Sequence, residues 1–326
     1  MFKFIIKRVI GLVPLFIGIT FISFVVIHLA PGSPVEARSQ LNPKMSLEAQ
    51  SRLKELYGLD APLFTQYVTW AKRLFRLDFG RSFSDGEEVS KKISEAIPVT
   101  LLISGLSLLL ILSVGIPLGI FSAVRKGSLP DKALTFLSFT GISIPTFWLA
   151  LLGMSFFGVT LRWLPVSGLH SVLSDEMSFF ESIIDTAWHL ILPVTITFIA
   201  GVGAIICFMR SSMASTLKES YIRTAIAKGL SQSQVLYKHA LKNAILPLIT
   251  ILGLSVPGLL GGSVLFETVF SLPGMGRLFF NAVFMRDYPV VMGILVMGAF
   301  LTLLGNLLAD IAYGIADPRI RIDRNV

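Results

Sequence analysis

The sequence predicts an all-α membrane protein: six transmembrane helices, with an external insertion of short amphipathic helices between the first and second spans. Three observations carry this. Hydrophobic residues make up 53% of the 326-residue chain and charged residues only 15%. With a mean hydropathy of +0.75, that is too apolar for a water-soluble protein of this length. Six runs are long enough to cross a hydrocarbon core, which takes roughly 20 mostly apolar residues. Lys and Arg also concentrate in alternate connections, the pattern that orients helices in a bilayer.

The first span is expected at Val9–Leu29, behind a basic start of Lys3, Lys7 and Arg8. Its apolar run of about 21 residues exceeds a signal-peptide core and no small-residue cleavage site follows, so residues 1–29 read as a cytoplasmic start and a retained helix. Residues 30–96 form the external insertion. Within it, Ser46 is placed to cap a short helix with Glu48 in its first turn. Leu63, Tyr67, Trp70, Leu74 and Leu77 then fall at helical spacing. This insertion reads as a cap on the membrane domain, and as a lid or landing surface for an external partner.

The core domain spans 97–316, with helices expected at Ile97–Val124, Ala133–Leu161, Ala187–Met209, Ile245–Phe266 and Tyr288–Ile315, before a tail at 317–326. Pro117, Pro145, Pro193 and Pro257 lie inside these spans, where neighbouring helices can re-satisfy the freed backbone. Gly115 with Gly119, and Gly258 with Gly262, have the spacing that lets helices approach closely.

Orientation follows from charge. The start, the connection with Arg125, Lys126 and Lys132, the stretch from Arg210 to Lys242, and the tail together hold 15 basic and four acidic residues. The opposite connection Trp163–Thr186 has no basic residue and four acids. Both termini and the 214–244 loop therefore face the cytoplasm. The 67-residue insertion, with ten basic and nine acidic residues, is long enough to escape the rule. The net charge of +8 fits membrane anchoring better than nucleic-acid binding.

The most organised polar stretch is Tyr221–Asn243. A helical pattern runs to Lys228. Gly229 follows where a left-handed helix-ending residue is wanted, and Ser231 with Gln234 forms a capping box. Two short helices with a built-in corner suit a docking element better than a plain linker.

Catalytic patterns are absent. No Gly-Lys dipeptide occurs, so there is no P-loop, and His28, His170, His189 and His239 belong to no metalloprotease pattern. The single cysteine, Cys207, excludes an intrachain disulfide. Glu267, Asn306 and Asp310 are the candidate pore or bundle polar residues, because polar groups at membrane depth are costly. Hydrogen bonding between helices is the plainer role for them. Nothing forms a chain of buried carboxylates for proton relay.

These residues resemble the cytoplasmic EAA loop of ABC importer permeases. Arg223-Thr224-Ala225 stands at the triplet, Ile226-Ala227-Lys228 and Gly229 follow, and nine residues later comes His239-Ala240-Leu241-Lys242. The Gly and the spacing are kept; the acidic residue, the Ile and the Pro of the general motif are not. The chain is more similar to one branch, the first permease of dipeptide and oligopeptide importers. The shared signatures run from His28-Leu29-Ala30-Pro31-Gly32, Gly58-Leu59-Asp60 and Asp78-Phe79-Gly80, through Leu164-Pro165-Val166-Ser167-Gly168 and Arg210-Ser211-Ser212-Met213. They continue to Glu267-Thr268-Val269-Phe270, Leu272-Pro273-Gly274-Met275-Gly276, Arg286-Asp287-Tyr288-Pro289-Val290 and Asp317-Pro318-Arg319.

The resemblance implies an ABC type I importer permease fold in the inner membrane of a prokaryote. It implies a second homologous permease, two cytoplasmic ATPases that bind the ATP and Mg, and a periplasmic or lipid-anchored solute-binding protein. No cofactor is implied in this chain. Arg223, Thr224, Ala225, Gly229, Leu230, Ser231 and His239 are the expected ATPase-coupling residues. The cargo would be di- or oligopeptides, with nickel chelates, glutathione or oligosaccharides as alternatives on the same machinery. An ATPase-independent channel or secondary transporter, a membrane enzyme and a structural assembly factor are the readings from other classes.

Overall fold

The computed structural model describes residues 2–29, 31–41, 45–172 and 176–316, and is helical throughout, with one isolated antiparallel bridge between Arg81 and Glu88. Ala30, the side chains of Lys3, Lys7 and Asp310, and the tail from residue 317 lie outside what is described. The helices are α1 (Phe2–Leu29), α2 (Pro34–Leu41), α3 (Leu47–Leu56), α4 (Leu63–Leu74), α5 (Val89–Val124), α6 (Leu129–Ser143) and α7 (Thr146–Gly153). They continue as α8 (Phe179–Thr216), α9 (Ser220–Ala227), α10 (Leu241–Ala244), α11 (Leu246–Gly261), α12 (Val264–Val269), α13 (Met275–Phe284) and α14 (Tyr288–Ala316). The chain divides into two compact units: residues 1–101, 257–268 and 273–307, and residues 102–256, 269–272 and 308–326.

By length and composition, five helical stretches among the described residues could cross a membrane: Ile10–Leu29, Val89–Val124, Phe179–Thr216, Gln234–Gly253 and Tyr288–Leu307. A sixth would be α6 with α7 and its π-helical continuation, a pair bent by 94°. The bend falls inside the expected Ala133–Leu161 span. Pro145 has no N–H to give and crowds the helical backbone of the residue before it. Ile144 accordingly sits at φ −87°, ψ 124°.

The fifth expected span, Ile245–Phe266, is also interrupted. Gly262 takes φ +68°, α11 stops at Gly261, and α12 restarts at Val264. The second span begins earlier than expected, at Val89. Its polar first turns remain helical because Val89, Ile93 and Ala96 share one buried face against Met275, Ala282, Val290 and Val291. Of the two close-packing glycine pairs, only one packs. A Cβ at Gly119 would meet Met209 Cβ at 2.6 Å, whereas Gly258 has nothing within 4 Å.

In the first unit, α2–α4 form a cap over the ends of α1 and α14. Ser46 caps α3 as expected, accepting from the Ala49 N–H at 3.2 Å. On α4 the packed face is narrower than the spacing predicts. Tyr67 meets Phe21 and Phe24 edge-on at 5.3 and 5.4 Å between ring centres, with Trp70 beside them. Leu63 and Leu77 are exposed, because α4 ends at Leu74 and Leu77 turns the chain at φ +58°.

Two of the sequence signatures converge here. The buried Asp287 carboxylate accepts from Ser82 Oγ at 2.5 Å, the Phe83 N–H at 2.9 Å and the Ser84 N–H at 3.3 Å. Tyr288 donates to the Gly32 carbonyl at 3.3 Å, and its ring lies 5.0 Å from that of His28. Arg286 pairs with Glu36 at 3.7 Å and occupies the space a side chain at Gly32 would need. Beside them, burial pushes Asp85 up, but the Lys92 ammonium, the Glu87 N–H and the Ser82 hydroxyl outweigh it and hold its carboxyl below the usual range.

Candidate functional site

The Tyr221–Asn243 stretch lies in the second unit, and its inner face is apolar. Ile222 and Ala225, three residues apart on α9, are buried with Val235, Ala240 and Ala244 against Ile120, Ala123, Met209, Met213 and Leu248. Burying one stripe of a short helix is what holds it, since eight residues are too few to be stable alone.

The corner has the expected chemistry. Gly229 sits at φ +75°, donating to the Ile226 carbonyl at 2.9 Å while Leu230 donates to Ala225 at 3.4 Å. This pair of bonds is the Schellman ending that satisfies carbonyls left over at a helix C-terminus. Ser231 N–H then donates to Gln234 Oε1 at 3.2 Å, and Gln234 N–H returns to Ser231 Oγ at 3.4 Å. The following turn is a π-helix, Gln234–Ala240, whose wider spacing lets Val235 and Ala240, five residues apart, both face inward. Asn243 Nδ2 donates to Tyr221 Oη at 2.8 Å, closing the stretch end to end.

The expected coupling residues divide into three groups. Arg223, Thr224, Gly229 and Ser231 are exposed, whereas Leu230 and His239 are half-buried. Ala225 is buried, so its side chain is not available to a partner; it acts by seating α9 on the core. Two exposed side chains that the sequence reading did not single out complete the outer face: Ile226 and Tyr237, each 60% exposed. Both sit in the same stretch, and an apolar residue on the polar side of a short amphipathic helix was the available signal.

A second group was missed entirely. Asp131, at the start of α6, is 1% exposed. Its carboxylate takes Arg210 Nε at 2.5 Å and Nη2 at 2.8 Å, Ser122 Oγ at 2.5 Å and the Gly127 N–H at 2.8 Å. A bidentate guanidinium with two further donors is a fully satisfied buried charge. It fastens α6 to α8 eleven residues before the Tyr221–Asn243 stretch, and Ser212 Oγ, donating to the Ala244 carbonyl at 2.7 Å, extends the tie.

Of the membrane-depth candidates, Glu267 and Asn306 have different settings. Glu267 is 3% exposed, accepting from Thr100 Oγ1 at 2.9 Å, the Gly276 N–H at 2.8 Å and the Arg277 N–H at 3.2 Å. It serves as the anionic cap of α13 at the break after α12, using the donors a helix start leaves free. Asn306 is exposed, and the Asp310 side chain lies outside the described residues. No group of three or more His, Cys, Asp or Glu residues that could hold a metal occurs among the described residues.

Comparison with known proteins gives the context of this geometry. Residues 115–322 match the family model described as binding-protein-dependent transport system inner membrane component, and residues 1–104 match the N-terminal model of the same systems. The chain belongs to this family. It is 42% identical over 321 residues, 98% of this chain and 99% of the other, to the oligopeptide transport system permease protein AppB of Bacillus subtilis. It is 38% identical to the di/tripeptide transport system permease protein DppB of Pseudomonas aeruginosa, covering 99% of this chain and all of that one. Among solved structures it is similar to a chain of the inward-facing MetNI methionine ABC transporter, with a TM-score of 0.53 and 16% identity over 70% of this chain and 97% of that chain. That likeness shows the fold of an ABC importer permease.

Proposed function

We propose that this chain is a transmembrane permease subunit that moves di- or oligopeptides into the cytoplasm by alternating access. The energy comes from ATP hydrolysis on two separate ATPases, and an external solute-binding protein delivers the cargo. The observation that supports this most is the end-to-end identity with the oligopeptide permease, joined to a stretch whose outer face, with Ile226 and Tyr237, is left without a covering. In this reading a second, homologous permease completes the pathway. The ATPases grip the corner at Arg223, Thr224, Gly229 and Ser231, and Ala225, Leu230 and His239 pass the movement to the packed core. The bent α6–α7 pair counts as one span, giving six, with both termini inside and the 30–96 insertion outside.

Reconstitution in liposomes tests the reading. The chain with its partner permease, ATPases and binding protein is expected to take up a labelled oligopeptide only with ATP, and the chain alone to take up none. ATP-independent uptake by the lone chain contradicts it. Topology is tested by impermeant labelling in a Cys207→Ala background. The exposed Ser84→Cys is expected to label in spheroplasts and the exposed Ser233→Cys to stay unlabelled; the reverse pattern overturns the orientation.

A further inference from the structure

The cap of the first unit surrounds an open cavity of about 310 Å³ that coupling to the ATPases leaves unused. Its walls are the rings of Phe24, Tyr57, Trp70, Phe79, Phe83 and Tyr288. These rings fix one another. Tyr57 stacks on Phe83 at 3.9 Å between centres, and Phe24 lies 6.4 Å from Trp70. The Tyr57 hydroxyl is held between Arg38 Nη1 at 2.8 Å and the Phe83 carbonyl at 3.0 Å. Four of the sequence signatures, at His28, Gly58-Leu59, Asp78-Phe79-Gly80 and Tyr288-Pro289, reach the same cavity. An aromatic-lined hollow of roughly 300–1,000 Å³ with a few convergent polar groups is the usual form of a small-molecule site.

The charged groups on the cavity identify the ligand class. Asp78 is occupied by the Gly80 N–H at 2.8 Å, and Arg81 by the Gly86 carbonyl and Glu88. The side chains of Glu55 and Arg73 also line the cavity, and neither bonds to any described residue. One unpartnered carboxylate and one unpartnered guanidinium beside aromatic walls complement a molecule with an ammonium, a carboxylate and an apolar body. A purely anionic or cationic ligand leaves one of them facing its own sign. A zwitterionic phospholipid also carries both charges, but as a phosphate and an ammonium on one headgroup, and the test below separates it from a peptide.

We propose that this cavity binds a short zwitterionic peptide. An apolar side chain lies among the rings, the ammonium faces Glu55 and the Trp70 ring, and the carboxylate is taken by the Arg73 fork. The choice of ligand rests on the peptide-importer reading, and the site itself is separate from the coupling corner.

Calorimetry on the complete importer in nanodiscs, without its binding protein, tests this with the dipeptide Leu-Phe and its N-acetylated amide. Leu-Phe is expected to bind and the uncharged form not to. Glu55→Gln and Arg73→Gln, both at exposed positions, are each expected to weaken binding by about tenfold. No binding by the parent, or binding by both variants as tight as the parent's, overturns the assignment. The same titration is run with and without phosphatidylethanolamine in the bilayer. If peptide fails to bind, and that lipid is retained by the parent but not by Glu55→Gln, the cavity belongs to a headgroup and the peptide assignment is wrong. Uptake with the binding protein is followed in parallel. Its loss in the parent counts against the importer reading, whereas intact uptake without cap binding overturns the cavity alone.

Discussion

The cap of the first unit and the docking stretch of the second are both built from short helices, yet they are held in opposite ways. The cap is fixed by side chains: the Asp287 carboxylate gathers residues 82–84, Arg286 reaches Glu36, and aromatic rings interlock. The docking stretch is fixed by backbone caps and an apolar inner stripe, and it leaves Ile226 and Tyr237 uncovered on its outer side. A region that satisfies its own polar groups internally needs no neighbour to be stable. Exposed apolar residues do not tell the two apart, since the cap also leaves Leu47, Leu56, Phe64 and Leu77 exposed; the difference lies in what holds each region.

If that contrast is right, the largest effect of substitution belongs to the cap. Asp287→Ala leaves three donors without their acceptor, at about 1–3 kcal/mol for the buried Ser82 hydroxyl and less for the part-buried Phe83 and Ser84 N–H groups. It is expected to lower membrane abundance and the melting temperature together; normal abundance would break the scaffold reading. Asp131→Leu alone strands Arg210 and is expected to cost about 3–5 kcal/mol, whereas Asp131→Leu with Arg210→Met removes both charges and restores much of that. Thermal melts of the single and double variants decide this. Equal loss in both would mean that packing, not the unpaired charge, sets the cost.

Smaller and more selective effects are expected at the corner. Nothing lies within 4 Å of a Cβ at Gly229, so substitution there costs backbone conformation only, about 1–2 kcal/mol for a left-handed non-Gly residue. Gly229→Val is expected to leave the protein abundant but reduce substrate-stimulated ATP hydrolysis, and Gly229→Asn, which tolerates that conformation, to reduce it less. Gly127 makes a poor control, because it has φ +86° and its N–H serves Asp131. Gly86, also at positive φ with open space around it, is the better one. Tyr221→Phe removes one exposed hydrogen bond and is expected to cost about 1 kcal/mol or less, read as a slight fall in coupling.

What the sequence revealed was mostly local. Gly229, the Ser231–Gln234 box and the Ser46 cap each announce themselves within four residues, and the long apolar runs fix most of the helices. Pro145 was visible, but neither a bend nor its size follows from a proline when neighbours can absorb the break. Gly262 looked like a packing position; it is one, since a Cβ there would meet Gly276 N at 2.8 Å, and it is also a helix stop. The pairings that bind the units were hidden for a different reason. Asp131 and Arg210 are 79 residues apart, and Ser82 and Asp287 are 205 apart. Neither pair leaves a periodic trace in one chain. Ala225 shows the limit of a motif, since its position in the triplet suggested contact with a partner and its burial assigns it to the core.

The central claim is that the outer face of the Tyr221–Asn243 stretch binds the ATPases. Ile226→Asp tests it most directly, because the side chain is exposed in the chain itself and the charge should not disturb folding. The measurement is co-purification of the ATPases with the permease pair, normalised to permease abundance and compared with Phe64→Asp, a still more exposed position on the cap. The account predicts that Ile226→Asp is inserted at parental levels, retains markedly less ATPase and loses peptide uptake, while Phe64→Asp retains ATPase as the parent does. Full ATPase retention by Ile226→Asp at normal abundance would contradict it.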